Sequence, residues 1–344
     1  MESAGPPAVA MFALGGTIAS ASVAGRAGAD VSLSGEELLR VLPGVDSIAS
    51  VTVRSFRKVP SGDLTMHDVL ELAAAIRSEV DGGTSGVVVT QGTDTLEEVA
   101  YALDLLLHVE APVVVTGAMR NSSLPGSDGP ANMLAAIKVA SSEDARGMGA
   151  LVVFNDEIHA ARFVRKRHTT SPATFGSPLV GPLGLVTEDR VSIFLRPRGR
   201  MHIKVRAEAP DARVALVSVA FDEDGALLHP AVLAGYQGAV VAAFGAGHVP
   251  RKIVPRLREL NERMPVVVAS RTFAGDMLKA TYAYPGGEMD LLSSGLIFAG
   301  ALDAPHARIL LRLLLMTGAS REVIARAFES AISTPDDVII AGRK

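Results

Sequence analysis

The stretch Val87-Val-Val-Thr-Gln-Gly-Thr-Asp-Thr95 decides how the chain is read. Four apolar or β-branched residues run into Gln91-Gly92-Thr93-Asp94-Thr95, and then Leu96, Val99, Ala100, Leu103, Leu106 and Leu107 recur at helical spacing. The pattern is a buried strand, a tight turn and a helix. Thr95 and Glu98 fit a capping box that starts the helix at Leu96. Thr93 and Asp94 therefore belong at the carboxyl end of a strand and beside a helix N-terminus, where open α/β sheets place their ligands. Such a turn can also be a helix cap and nothing else. A second turn near the start of the chain weighs in favour of a site.

That second turn follows the apolar run Ala8 to Leu14 and reads Gly15-Gly16-Thr17-Ile18-Ala19. Paired glycines permit a sharp turn and close approach of another group, so Thr17 is offered at a strand end as Thr93 is. The turn lacks the third glycine of a dinucleotide fingerprint and the Gly-Lys-Ser/Thr of a phosphate loop. Ser20 to Ser34, rich in Ala, Gly and Ser, is either a lid over that turn or an ordinary surface excursion.

Composition bounds the rest. At 344 residues the chain is long enough for two domains, and 48% hydrophobic with 20% charged residues suits a buried α/β protein. A formal net charge of −4 leaves no basic footprint for nucleic acid. The absence of cysteine excludes disulfides, thiolate metal sites and a cysteine nucleophile. With no secretory signal and no apolar run of transmembrane length, the protein is expected to be soluble and cytoplasmic.

Val51 to Phe56, Ala111 to Thr116 and Ala150 to Phe154 are further strands, with helices predicted over 65–79 and 131–140. Ser61 and Asp63 are candidate caps, and Ser61 becomes a ligand if its turn faces Thr17 and Thr93. Pro130 suits a first helical turn with Asp128 just before it, a sufficient structural reading of that segment. A metal reading of Asp156, Glu157 and His159 is weak, because neighbours on an extended chain point to opposite faces. The basic run Arg162-Phe-Val-Arg-Lys-Arg-His168 has three readings: a solvated turn, a nucleic-acid contact, or one cation turned inward onto a carboxylate and a hydroxyl. Lysine suits the last, since it can exchange a proton where guanidinium cannot. Periodicity breaks over 196–212, the expected linker between an N-terminal domain, 1–195, and a C-terminal domain, 213–344. The later strands 214–219, 238–243 and 265–270 make a second parallel sheet.

With these segments placed, the chain resembles the bacterial-type L-asparaginase family, the threonine amidohydrolases. Gly15 to Ala19 is similar to the first family signature and Gly92 to Leu96 to the second. Gly117-Ala-Met-Arg120 with Ser127-Asp-Gly-Pro130, Asn155 to Ile158, Lys166 through Thr170, and Gly295 to Gly300 resemble the segments that follow. The resemblance implies a larger flavodoxin-like N-terminal domain and a smaller Rossmann-like C-terminal one. It implies hydrolysis of asparagine in two steps through an ester on Thr17, with Thr93, Asp94 and Lys166 as a proton relay and no cofactor or metal. Ser61, Gly62, Thr93, Asp94 and Ala118 would contact the substrate. Glu288 resembles the acidic residue that reaches a neighbouring subunit's site, which implies a homo-oligomer built as a dimer of dimers.

The chain departs from the family pattern at several points. No tyrosine lies in 20–34, Leu14 precedes the paired glycines, Gln91 replaces a histidine, Ala246 stands where many relatives have asparagine, and Gly62 is smaller than usual. The missing tyrosine and small Gly62 favour, as alternatives, an amidase for glutamine, D-asparagine or a related amide. A non-catalytic amino-acid-binding relative is the third reading, disfavoured by the presence of all four relay residues.

Overall fold

The apolar runs at the start of the chain become neighbours in one sheet. The computed structural model describes residues 5–22, 29–31, 33–206, 208–272, 274–332 and 336–341. The chain divides into two compact units, Met1–Pro197 and Arg198–Lys344.

The strands of the first unit are β1 (Ala8–Ala13), β2 (Ser20–Ser22), β3 (Ala29–Val31), β4 (Ser50–Ser55), β5 (Gly86–Thr90), β6 (Val113–Thr116), β7 (Ala150–Phe154), β8 (Glu157–Ala160), β9 (Arg165–Lys166), β10 (Phe175–Gly176), β11 (Gly184–Thr187) and β12 (Arg190–Ile193). Its helices are α1 (Gly35–Arg40), α2 (Met66–Asp81), α3 (Leu96–Leu106) and α4 (Gly129–Ala140). The main sheet runs β12-β11-β8-β7-β6-β5-β1-β4. From β4 to β7 all pairs are parallel, and β8, β11 and β12 extend the sheet antiparallel. Every residue of β5, β6 and β7 is buried, as a parallel sheet covered on both faces requires. The chain leaves β1 for β4 on one side and returns to β5 on the other. The crevice between the carboxyl ends of β1 and β5 is therefore the topological switch point.

Helix α2 starts where its caps dictate. Thr65 accepts from the Asp68 N–H while the Asp68 carboxylate accepts from the Thr65 N–H, a complete capping box, so neither Ser61 nor Asp63 serves as the cap. Burial raises the Asp68 pKa, but hydrogen bonds from Thr65 and the Arg57 guanidinium outweigh it and hold the carboxyl at about 2 against an ordinary 3.8. A carboxylate depressed in this way contributes stability above its unfolded value, and that contribution is lost as pH falls from about 4 towards 2. Asp68→Asn is expected to lower stability by about 1–2 kcal/mol at pH 7. In urea titrations the gap between variant and parent should close by pH 2; a gap that persists there would assign the effect to packing.

The second unit holds β13 (Met201–Lys204), β14 (Val214–Ser218), β15 (Gly238–Ala243), β16 (Val266–Ser270), β17 (Ile297–Asp303) and β18 (Val338–Ala341), with helices α5 (Val254–Arg263), α6 (Glu288–Ser293), α7 (Ala304–Met316) and α8 (Arg321–Ser330). Strands β14-β15-β16-β17 form a parallel sheet in that order. Within the 196–212 stretch, β13 pairs in parallel with β18. The large parallel-rich sheet and the separate parallel sheet match the two α/β domains expected. No helix among the described residues is long and apolar enough to cross a membrane.

Candidate active site

Two glycines bring the Thr17 and Thr93 turns together. Gly16 has a φ of +80°, and a Cβ placed on it would lie 2.1 Å from the Gly92 backbone nitrogen. Only glycine satisfies both conditions. The contact continues the β1–β5 pairing, since the Leu14 N–H donates to the Thr90 carbonyl at 2.9 Å. Thr17, half-buried, opens a 3-10 turn, Thr17–Ala19, braced by the Ser20 hydroxyl donating to the Gly16 carbonyl at 2.9 Å. Of the 20–34 stretch, β2 and β3 form an antiparallel pair, while residues 23–28 and 32 lie outside the described residues.

Ser61 joins the same crevice. It is buried at the start of the turn Ser61–Asp63, and a Cβ on Gly92 would fall 2.8 Å from its Oγ. Gly62 beside it is exposed, with open space where a side chain would stand. The Thr95–Glu98 capping box does not form, although α3 starts at Leu96 as predicted. The Thr95 hydroxyl instead donates to the Ser61 carbonyl at 2.9 Å, and no side chain caps α3. Local capping gives way to a longer-range tie between the two ligand turns.

Lys166 meets Thr93 and Asp94. Its Nζ donates to Thr93 Oγ1 at 2.9 Å and to Asp94 Oδ1 at 2.6 Å. Thr93 is 5% exposed, the Lys166 side chain 18% and the Asp94 side chain 81%. The hydroxyl and ammonium are thus sheltered while the carboxylate is open to an incoming cation. Of the basic run, Arg162 and Arg165 are buried, Arg167 and His168 exposed, and the half-buried Lys166 is the cation that meets a hydroxyl and a carboxylate; that carboxylate is exposed. The backbone of Lys166 is also held: its N–H donates to the Glu97 carboxylate in the first turn of α3, and the other Glu97 oxygen lies 3.6 Å from Arg165 Nε.

Asp128 does more than its sequence position indicates. It sits at the N-cap of α4 yet caps nothing. Its carboxylate accepts from the N–H groups of Met119, at 3.0 Å, and Arg120, at 2.8 Å. The Asn132 amide donates to Asp128 Oδ2 at 3.1 Å and to the Gly117 carbonyl at 3.0 Å. Ala118, fully buried, lies between these held peptides. Sequence reading passed over Glu97 and Asn132, and gave Asp128 only a place before a helix start, because their partners are distant in the chain. The one available signal was an aspartate ahead of a Gly-Pro helix start, which local rules assign to a cap.

Other candidates fall away or stand apart. Asn155 and Asp156 have φ of 51° and 62°, forming the tight turn between β7 and β8. Asp156, Glu157 and His159 make no grouping with metal-ligand geometry among the described residues. His159 is fully buried; burial, then Arg167, lowers its pKa to about 4. Gln91 is also fully buried and donates to the Gly92 carbonyl at 3.3 Å, so this departure from the family pattern lies in the wall behind the turn. In the second unit Glu288 opens α6 and is fully buried, its oxygens accepting from Thr281 N–H at 2.6 Å, Tyr282 N–H at 2.5 Å and lying 3.0 Å from His248 Nε2. Burial raises its pKa, but those hydrogen bonds outweigh it and keep the carboxyl below the ordinary range.

Comparison with known proteins identifies the family. The family model "Asparaginase, N-terminal" matches residues 8–198, and "Glutaminase/Asparaginase C-terminal domain" matches residues 213–328. An L-asparaginase of Bacillus licheniformis is 35% identical over 310 residues, covering 89% of this chain and 95% of its own. A glutaminase-asparaginase of Pseudomonas fluorescens biotype A is 33% identical, covering 93% and 89%. The crystal structure of a probable cytoplasmic L-asparaginase from Campylobacter jejuni superposes with a TM-score of 0.83 at 28% identity, covering 94% of this chain and 99% of that one. Two family models in the expected order, and relatives aligned over nearly their full length, show the family: the chain belongs to the asparaginase family.

Proposed function

We propose that the protein hydrolyses L-asparagine to L-aspartate and ammonia through an ester on Thr17. The observation that carries this reading is the Lys166 ammonium, within hydrogen-bond distance of Thr93 Oγ1 and Asp94 Oδ1 at a strand end beside the Thr17 turn. In the first step the Thr17 hydroxyl gives up its proton and attacks the carboxamide carbon. The C–N bond breaks, the nitrogen takes the proton, and ammonia leaves. Water then adds to the ester, and its proton returns to the threonine oxygen. A threonine hydroxyl needs a base for this. Thr93, Lys166 and Asp94 form a relay: Lys166 gives one proton to Asp94 and, as the neutral amine, takes the Thr17 proton through Thr93 and later returns it. The Thr93 N–H would steady the tetrahedral oxyanion.

Substrate recognition follows from charge. Asp94, open to solvent beyond Lys166, would receive the α-ammonium, and Ser61 with the Gly62 backbone the α-carboxylate. Ala118 would accept from the departing amide nitrogen through its carbonyl. The active assembly would be a cytoplasmic homotetramer; Glu288, fully buried within its own unit, would reach a neighbouring subunit's site only by leaving its contacts with Thr281, Tyr282 and His248.

A second reading, an amidase for glutamine or another small amide, is favoured by the open space at Gly62 and by the glutaminase-asparaginase relative. Ammonia release from L-asparagine, L-glutamine and their D-forms tests both. The first reading expects the highest kcat/KM on L-asparagine. Preference for another amide would select the second, and tight asparagine binding without ammonia would sink both.

A further inference from the structure

We infer that Asp128 is a positioning residue that aims the Ala118 carbonyl at the leaving amide nitrogen; this rests on the proposed asparagine hydrolysis. The Ala118 carbonyl and the Met119 N–H belong to one peptide unit. In a trans peptide they point in opposite directions. The Asp128 carboxylate takes the Met119 N–H, at 3.0 Å to one oxygen and 3.2 Å to the other, and the next N–H, of Arg120, at 2.8 Å. Fixing that N–H fixes the carbonyl, which points the other way in the same plane.

Asn132 holds the other end of the segment. Its amide donates to both the Gly117 carbonyl and Asp128 Oδ2, and its own oxygen accepts the Asn155 N–H at 3.0 Å. Ala118 is thus clamped on both sides, and the clamp is tied to α4 and to the turn after β7. Its partly buried acceptor is an ionised carboxylate, so the bonds are charge-assisted and stronger than neutral ones. A charged acceptor on the N–H also polarises the peptide and makes its oxygen a better acceptor. An aspartate in an N-cap position normally caps its helix. Here that hydrogen bond is diverted to the loop.

An amide and an ester substrate separate this role from a structural one. The departing nitrogen of asparagine has N–H groups to give the Ala118 carbonyl; the departing oxygen of L-aspartate β-methyl ester has none. With Asp128→Ala, kcat/KM on L-asparagine is expected to fall by about 100-fold, the scale of a misplaced reacting group. On the ester it should stay within a few-fold of the parent protein. Asp128→Asn keeps the shape and one acceptor oxygen but loses the charge, so its amide-to-ester ratio should fall between the two. Equal losses on amide and ester, or no loss on the amide, would overturn the inference. Should Asp128→Ala fail to fold, the ratio measured with Asp128→Asn decides alone: an unchanged ratio rejects the role. The parent protein is assayed first on both substrates, with Thr17→Ala as control. Inactivity of the parent, or full activity of Thr17→Ala, would strike the proposed function itself, not the role of Asp128.

Discussion

Thr17→Ala is expected to lower asparagine turnover by about 10⁴-fold or more, the scale of loss when the nucleophile of a covalent hydrolase is removed. The fold should survive. Thr17 is only half-buried at the head of a short turn, and that turn is braced by the backbone of Gly16 and the hydroxyl of Ser20, neither of which the substitution touches. Thr17→Ser keeps the attacking oxygen and should retain most of the activity. Rapid quenching of the parent protein with asparagine, followed by digestion and mass spectrometry, should find an aspartyl ester on the peptide containing Thr17. An ester on the Thr93 peptide would reassign the nucleophile, and near-normal turnover by Thr17→Ala would remove the covalent mechanism.

What activates Thr17 narrows on inspection of the tyrosines. Tyr101, the only one in the first unit, is fully buried within α3, and burial raises its pKa, so it stays protonated and cannot act as the base at neutral pH. Among the described residues of the first unit, the Lys166 ammonium joins the Thr93 hydroxyl and the Asp94 carboxylate.

The parallel strands and the Thr93 turn were legible because a strand buried on both faces is written as an unbroken apolar run, as in β5 and β7. The local capping rule found the start of α2 near Thr65 but offered Ser61 or Asp63 as its cap, where Thr65 and Asp68 form the box. The same rule misled at Thr95, whose hydroxyl finds the Ser61 carbonyl 34 residues away. No local pattern encodes that choice. The Glu97–Lys166 contact spans 69 residues and the Asp128 contacts cross a loop, so both emerge only when the sheet is assembled. Strand β17 was missed as a strand because Gly300, at φ +62°, interrupts its apolar run beside an irregular register with β16. Strands β11 and β12 are four residues each and mostly half-exposed, too short for their alternation to stand out. Helix α1 does carry a local signal, the Ser34–Glu37 capping box, but the featureless run ahead of it hides the start.

Lys166→Met is the second large effect, and it separates proton transfer from charge. Methionine keeps a flexible chain of similar reach and removes the ammonium, so kcat is expected to fall by about 10²–10⁴-fold, the usual worth of a positioned acid–base group. Stability should change little: the partner left behind, Asp94, has a side chain 81% exposed and remains solvated, so no buried charge is stranded. Thermal melts of variant and parent would check this. Lys166→Arg restores a cation at the same place, yet guanidinium does not release its proton at working pH. If the lysine relays the proton, the arginine variant should stay nearly as slow as the methionine variant while its KM recovers, because the field on Asp94 and Thr93 returns. Recovery of kcat as well would make Lys166 an electrostatic anchor and leave proton transfer to another group. The pH profile of kcat/KM offers an independent reading of the same question. A limb present in the parent and absent in both variants depends on the lysine, whereas a limb that survives in all three arises elsewhere.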